Sequence, residues 1–313
     1  MPHRGTPSAL ASRSLVIFAF VSVSIVWGAT YLGIRIALES FPPFFLGASR
    51  CLIAGALLLA FLRARGAEMP SLVGWASATV TGGLYFVVGN GLVNLAEKRV
   101  SSGLVSVLVA TMPLWATLYE RLAGAEVRAR EWLGIGLGLT GVVLLNLGGE
   151  LRASGPSAAY ALIAPMGWAL GTVVSRRLPL PKGATSTAAQ MLGGGVLMTL
   201  VGLARGEHLQ GPPTAAATMA LAALALFGSL GGFSAYAYLV RHTRTTVATS
   251  YAYINPVVAV ALGLIFAGET IDLASALGAA TILSAVIILT RGKARAPTPP
   301  RETPEPLPTT AVE

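Results

Sequence analysis

Apolar residues run in long blocks along this chain, and each block ends in a short stretch rich in charge, proline or glycine. Ten blocks can be read, at about 14–37, 43–62, 71–95, 102–123, 131–147, 156–178, 185–204, 213–240, 245–267 and 273–290. Each is close to the roughly 20 residues that an α-helix needs to cross about 30 Å of hydrocarbon. The pattern therefore predicts an all-α membrane protein with ten transmembrane helices. The first block follows a short basic segment but exceeds the roughly 7 to 15 apolar residues of a secretory signal core, so it is expected to stay as a helix. After Arg291 the chain turns polar and proline-rich, which predicts a disordered tail.

Composition sharpens this picture. The 313 residues are 54% hydrophobic and 11% charged, against about 25% charged in an ordinary soluble domain. Mean hydropathy is +0.70. The net charge of +9 would suggest a nucleic-acid partner in a soluble chain, but here it is read as loop charge that orients the spans. Of the 22 Lys and Arg, sixteen fall on the side that carries the N-terminus. Five fall on the other side, Arg35, Lys98, Arg99, Arg152 and Arg205, and Arg50 lies inside a span. Both termini are thus expected in the cytoplasm. The single cysteine, Cys51, allows no intramolecular disulfide.

Sliding the second half of the chain over the first reveals a duplication. An offset of 141 superposes Trp27 on Trp168 and Arg35 on Arg176, and aligns the stripe Ser24, Trp27, Tyr31, Arg35 with Pro165, Trp168, Thr172, Arg176. An offset of 140 places Arg50 on Gln190 and Gly66 on Gly206, and 143 places Pro113 on Pro256 and Glu126 on Glu269. Five spans is an odd number, so the second copy must enter the membrane from the opposite face. The expectation is two inverted five-helix repeats, an architecture in which secondary transporters bind substrate at the midplane between the halves.

These residues carry a resemblance. The segments Trp27-Gly-Ala-Thr-Tyr31 with Arg35, Phe41-Pro-Pro43, Arg50, Val88-Gly-Asn-Gly91, Val109-Ala-Thr-Met-Pro113, Glu131-Trp-Leu-Gly-Ile-Gly136, and Ala248-Thr-Ser-Tyr-Ala-Tyr-Ile-Asn-Pro256 with Gly268-Glu269 resemble the ten-helix EamA-domain permeases of the drug/metabolite transporter superfamily. The resemblance covers about residues 15–290. It implies a cytoplasmic N-terminal segment at 1–13, EamA-like repeats at 14–147 and 156–290, and a cytoplasmic tail at 291–313. It further implies export of small organic metabolites, amino acids or drug-like compounds from the bacterial inner membrane by alternating access.

Candidate substrate-binding residues follow from polarity inside apolar spans. Trp27 and Trp168 stand mid-span, away from the interfacial belts that membrane tryptophans prefer, so each needs a protein neighbour or a cavity. Tyr31 and Thr172 share their respective faces. Asn90 and Asn94, four apart, share a face of the third span, and intramembrane Asn serves either interhelical bonding or a polar path. Tyr251 and Asn255 share a face of the ninth span, where the first repeat has Leu108 and Met112. Arg50 is the one ionisable residue that reads as fully intramembrane, which calls for a partner. Pro113 and Pro256 each free the carbonyl four residues earlier and are expected to serve as hinges or cavity walls.

Other motifs carry no chemistry. Gly136-Leu-Gly138-Leu-Thr-Gly141 fits a dinucleotide fingerprint but lies inside an apolar span and not after a strand, so helix packing explains it better, as it does Gly193-Gly-Gly195. No HExxH or GxxxxGK occurs. The reading is a monomeric secondary transporter embedded in lipid, with a small-molecule substrate, no nucleic-acid partner and no cofactor or metal. The rivals are an intramembrane enzyme, which would need a catalytic dyad inside the spans, and a substrate-sensing membrane protein without transport.

Overall fold

The computed structural model describes residues 13–100, 102–145, 156–266 and 273–290. In order these form α1 (Arg13–Ala37), α2 (Pro43–Ala64), α3 (Leu72–Gly82), a π-helical stretch π1 (Gly83–Gly91), α4 (Leu92–Glu97), α5 (Ser102–Val109), α6 (Met112–Leu122) and α7 (Ala129–Leu145). The second half continues with α8 (Pro156–Ser175), α9 (Gly183–Ala204), α10 (Ala215–Ala223), π2 (Leu224–Phe233), α11 (Ser234–His242), α12 (Thr245–Thr249), α13 (Tyr251–Phe266) and α14 (Leu273–Thr290). The described residues contain helices and no strand. Segment 1–12, the tail from Arg291, Arg152 and Glu269 lie outside the described residues.

Local chemistry sets the ends. Pro43 opens α2, where its missing N–H is no loss because that position has no partner within the helix. Ser71 caps α3 by accepting from the Gly74 amide at 3.1 Å, and Thr214 caps α10 in the same way from Ala217 at 3.2 Å. Gly66 and Gly206 end α2 and α9 at φ +81° and +69°, a conformation that a Cβ would strain. Both ends close with the same bonds, Ala67 N–H to the Leu62 carbonyl at 3.0 Å and Glu207 N–H to the Gly202 carbonyl at 2.9 Å.

Four of the apolar blocks depart from single α-helices. Leu72–Glu97 and Ala215–His242 are continuous rods, but each passes through a π-helical middle. The block at 102–123 breaks between Val109 and Met112, and Pro113 then sits in the first turn of α6, the position that proline tolerates. The block at 245–267 breaks at Ser250, whose hydroxyl bonds back to the Val247 carbonyl at 2.9 Å. Pro256 lies inside the uninterrupted α13, several residues past that break.

The outer surface is apolar. Phe18, Leu32, Leu72 and Phe227 are more than 60% exposed, a pattern that water would not tolerate and lipid requires. Five rods among the described residues are long and apolar enough to cross a membrane: Arg13–Ala37, Pro43–Ala64, Leu72–Glu97, Gly183–Ala204 and Ala215–His242. The described residues form the all-helical bundle of a membrane protein.

Small residues face inward, as they must where helix backbones approach closely. On α9, Ser186, Ala188, Ala189 and Gly193 to Gly195 are buried. A Cβ on Gly82 would strike the Gln190 carbonyl, and one on Gly193 would meet the Thr79 Cα at 2.8 Å. The Gly-rich run of α7 packs likewise, Gly138 against the Tyr253 ring and Gly141 against Ile282. Helix α2 packs along α9, α7 along α14, α1 against α13 and π2, and α8 against α6 and π1.

Candidate functional site

Where α1, α8 and the two π stretches converge, aromatic rings fill the centre. Trp27 and Trp168, superposed by the 141 offset, touch edge-on with centroids 5.2 Å apart and planes at 85°. Tyr251 meets Trp27 at 4.8 Å and Phe86 meets Phe233 at 4.8 Å, both T-shaped, an arrangement that ring quadrupoles favour. Tyr85 and Tyr236 extend the layer, and Tyr236 bonds Thr172 at 2.5 Å while Thr172 donates to the Trp168 carbonyl at 2.9 Å.

Against this layer lies a narrow cavity with about 60 Å³ of room for water-sized molecules in this conformation. Trp27, Tyr31, Arg50, Asn90, Trp168, Tyr251 and Asn255 all line it, joined by Thr30, Phe86, Val109, Met112, Pro165, Ser229 and Phe233. The structure thus gathers seven of the eight sequence-derived binding candidates around one space. Asn94 is elsewhere: it is buried and donates to the Pro43 carbonyl at 2.9 Å, tying α4 to the start of α2. Pro113 and Pro256 are buried beside the cavity-lining Met112 and Asn255 and are not themselves in the wall.

The π2 stretch supplies the polar side of this cavity. A π turn carries one extra residue and leaves a backbone carbonyl without its usual partner, which is why such turns gather at functional sites. The Gly228 carbonyl accepts from the Trp27 indole N–H at 2.8 Å. The next residue, Ser229, accepts from Arg50 Nε at 2.8 Å. Arg50 is 4% exposed, and Nε is the one guanidinium nitrogen with a protein hydrogen bond among the described residues. Nη2 stands beside Gly228, where a Cβ would meet it at 3.1 Å. Trp168 Nε1 and Asn255 Oδ1 are buried without hydrogen-bond partners among the described residues. The wall therefore offers a cation, an indole donor, an amide acceptor and flat apolar faces.

At the end of the molecule that carries Arg65, Lys182 and Arg244, charged pairs join the two halves. Arg244 grips Glu131 through both carboxylate oxygens, at 2.7 and 2.8 Å, a fork geometry stronger than a single contact. Glu131 also caps its own helix by accepting from the Arg128 amide at 2.8 Å. Arg177 meets Glu120 at 3.1 Å, and Glu120 accepts from Thr245 at 2.7 Å. The wall of the aromatic cavity holds none of these residues.

Ser229, Glu131 and Glu97 escaped the sequence reading. Ser229 is a lone hydroxyl in an apolar run, and its signal was Arg50's need for a partner. Glu131 stood out only as part of a motif, although its position three residues after Arg128 marks a helix start. Glu97 precedes Lys98 and Arg99 and reads as a loop charge, yet it is 6% exposed.

A helical membrane bundle with a polar, aromatic-walled cavity at its centre is a frame that membrane transporters use. The sequence profile of the EamA-like transporter family matches this chain twice, over residues 14–147 and 155–291, and the chain belongs to that family. It is 42% identical over 283 residues to the "Uncharacterized inner membrane transporter YedA" of Escherichia coli (strain K12), covering 90% of this chain and 92% of that protein. It is 28% identical to the "Uncharacterized transporter YdfC" of Bacillus subtilis (strain 168), covering 91% of each. A solved crystal structure at 22% identity superposes with a TM-score of 0.71, covering 89% of this chain and 97% of that one, which agrees in fold.

Proposed function

We propose that this protein is a secondary transporter of the bacterial inner membrane that exports small organic metabolites, amino acids or drug-like compounds by alternating access through the central cavity. The observation that carries the reading is the convergence of Trp27, Tyr31, Arg50, Asn90, Trp168, Tyr251 and Asn255 on one space. The inner-membrane location is supported by the name of YedA, an inner membrane transporter 42% identical to this chain.

The same reading takes the chain as ten transmembrane helices in two inverted repeats, 14–147 and 156–290, with both termini cytoplasmic. Matched details support it. The Gly66 and Gly206 caps, the Ser71 and Thr214 caps, and π1 and π2 all recur at offsets of 140 to 143. Contacts recur in matched pairs too: α1 on π2 answers α8 on π1, and α1 on α13 answers α8 on α6. Trp27 touching Trp168 fits a pseudo-twofold axis running between them. In this conformation the pairs Glu131–Arg244 and Glu120–Arg177 act as the closed cytoplasmic gate, and the break at Pro113 and the proline at Pro256 act as the hinges that let it open. The transporter works as a monomer in lipid, without nucleic acid, cofactor or metal.

The test is counterflow in proteoliposomes holding the full chain, with a panel of labelled amino acids and anionic and cationic amphipathic drugs. Saturable flux above that of empty liposomes, abolished in Arg50→Gln protein, is expected. Flux that Arg50→Gln, Tyr251→Phe and Asn255→Ala all leave untouched would overturn the cavity as the route.

A further inference from the structure

Glu97 ends α4, one helical turn beyond Val93, and residues four apart share a helix face. Val93 lines the cavity, so Glu97 sits on the cavity side of its helix, just past the wall. It is 6% exposed, and both carboxylate oxygens are buried without a hydrogen-bond partner among the described residues. Ser102 at the head of α5 lies near it but forms no hydrogen bond of acceptable geometry. The charges acting on it come from Arg35 on α1 and Arg50 on α2, and its own charge reaches Tyr31. No ion pair joins any of these to it. Helices α5 and α8, which also pack on α4, carry no charged side chain, and Lys98 and Arg99 beyond it are exposed.

A carboxylate buried with no hydrogen bond is a costly ion unless a cation compensates it. Here two cations act on it, Arg35 first and Arg50 second, and Arg50 is the one that also faces the cavity, its terminal nitrogens without a hydrogen-bond partner among the described residues. The Arg50 charge thus acts both on Glu97 and on any anionic group that enters the cavity. We infer that Glu97 is a proton-binding site coupled to the cavity, taking up a proton from water when an anionic group of the substrate occupies Arg50 and releasing it when that group leaves. The two events bias each other by the same free energy in either direction. A monoanionic substrate then travels with one proton and no net charge. This inference rests on reading Arg50 as the substrate contact, and it adds the proton and the anionic class.

The probe is 3-phenylpropionate, one carboxylate on an aromatic body, with its neutral amide as control, added to the purified full-length protein in weakly buffered detergent with a pH-indicator dye. Wild-type protein should take up about one proton per bound probe, and its Kd should weaken about tenfold per pH unit above the titration of free Glu97. The amide should move no proton. Glu97→Gln protein should bind the probe with a Kd indifferent to pH and take up none, while Glu97→Asp should restore uptake. If Glu97→Gln does not fold, infrared difference spectra of wild-type protein decide. A probe-induced protonated-carboxyl band that shifts in Glu97→Asp sustains the inference, and its absence overturns it. Binding without proton uptake in the wild type sinks the coupling while leaving Arg50 as the contact. A probe that fails to bind sinks both, and coupled binding without flux in liposomes sinks transport alone.

Discussion

Arg50 and Gln190 stand at corresponding places in the two halves, and their surroundings differ in an instructive way. Each reaches a hydroxyl on the third rod of the other half: Arg50 Nε donates to Ser229 at 2.8 Å, and Gln190 Nε2 donates to Thr81 at 3.0 Å. Both are buried, at 4% exposure each. Gln190 lies in a seam where α9 meets Gly82 so closely that a Cβ would collide with its carbonyl, whereas Arg50 opens on the cavity. The frame therefore needs a hydrogen-bond donor at this position, and an amide suffices for that. The charge in the first half is more than that hydrogen bond requires, and in the proposed function it is the group that acts on Glu97 and on an anionic substrate.

The comparison breaks most visibly if the charge is moved to the wrong side. Gln190→Arg would place an unpaired guanidinium in the sealed seam, a burial expected to cost on the order of 3–5 kcal/mol. The expected outcome is a large fall in folded, monodisperse protein and in thermal midpoint, measured by size-exclusion and a melting assay. Full stability would mean that the seam has room or water for a cation, and the contrast would lose its basis.

The next largest effect is expected at the cavity itself. Arg50→Gln copies the second half, so folding and thermal stability should stay near wild type while flux falls by tenfold or more. Should the variant be poorly folded, the charge belongs to the structure after all.

Ser229→Ala sharpens the comparison by removing a neutral partner from a charged donor, a loss of about 1–3 kcal/mol where the partner is buried. Thr81→Val at the other site removes a neutral pair's acceptor and should cost about 1 kcal/mol. The two melting shifts measured side by side test whether the guanidinium bond is the stronger one. Equal shifts would say that Arg50 finds another partner readily.

The smallest expected effect separates the two prolines. Pro113→Ala can rejoin α5 and α6 and should slow flux several-fold, because the hinge is then a continuous helix. Pro256→Ala lies within a helix that is already unbroken, so its change should be smaller. Stopped-flow counterflow with any compound that the panel identifies would rank them, and a reversed order would move the hinge to the break at Ser250.

Much of the frame is legible in the sequence because membrane helices are written in long apolar blocks with few exceptions. Gly66 and Gly206 mark helix ends, and the offset that matches them also matches Arg50 with Gln190. The π stretches are not legible, since nothing in Gly83–Gly91 or Leu224–Phe233 forbids an ordinary helix. Their extra residue is stabilised by tertiary partners such as Trp27, which takes the Gly228 carbonyl. The faces downstream of such a stretch rotate, so that Asn90 reaches the cavity while Asn94, its expected companion, turns to Pro43. Glu97 was hidden for another reason. Its neighbours in sequence are loop charges, and only the fold places it under the ends of α1 and α2.

The edge-on contact of Trp27 and Trp168 has a consequence for observing the molecule. Two indoles 5.2 Å apart with planes at 85° are oblique chromophores close enough for their electronic transitions to couple, which produces a paired positive and negative band in circular dichroism. The other tryptophans, Trp75, Trp115 and Trp132, make no indole–indole contact among the described residues. A rocking of one half against the other, as the proposed alternating access requires, would change the angle between the two rings. The protein thus carries its own optical goniometer at its centre, readable without a label in lipid or detergent.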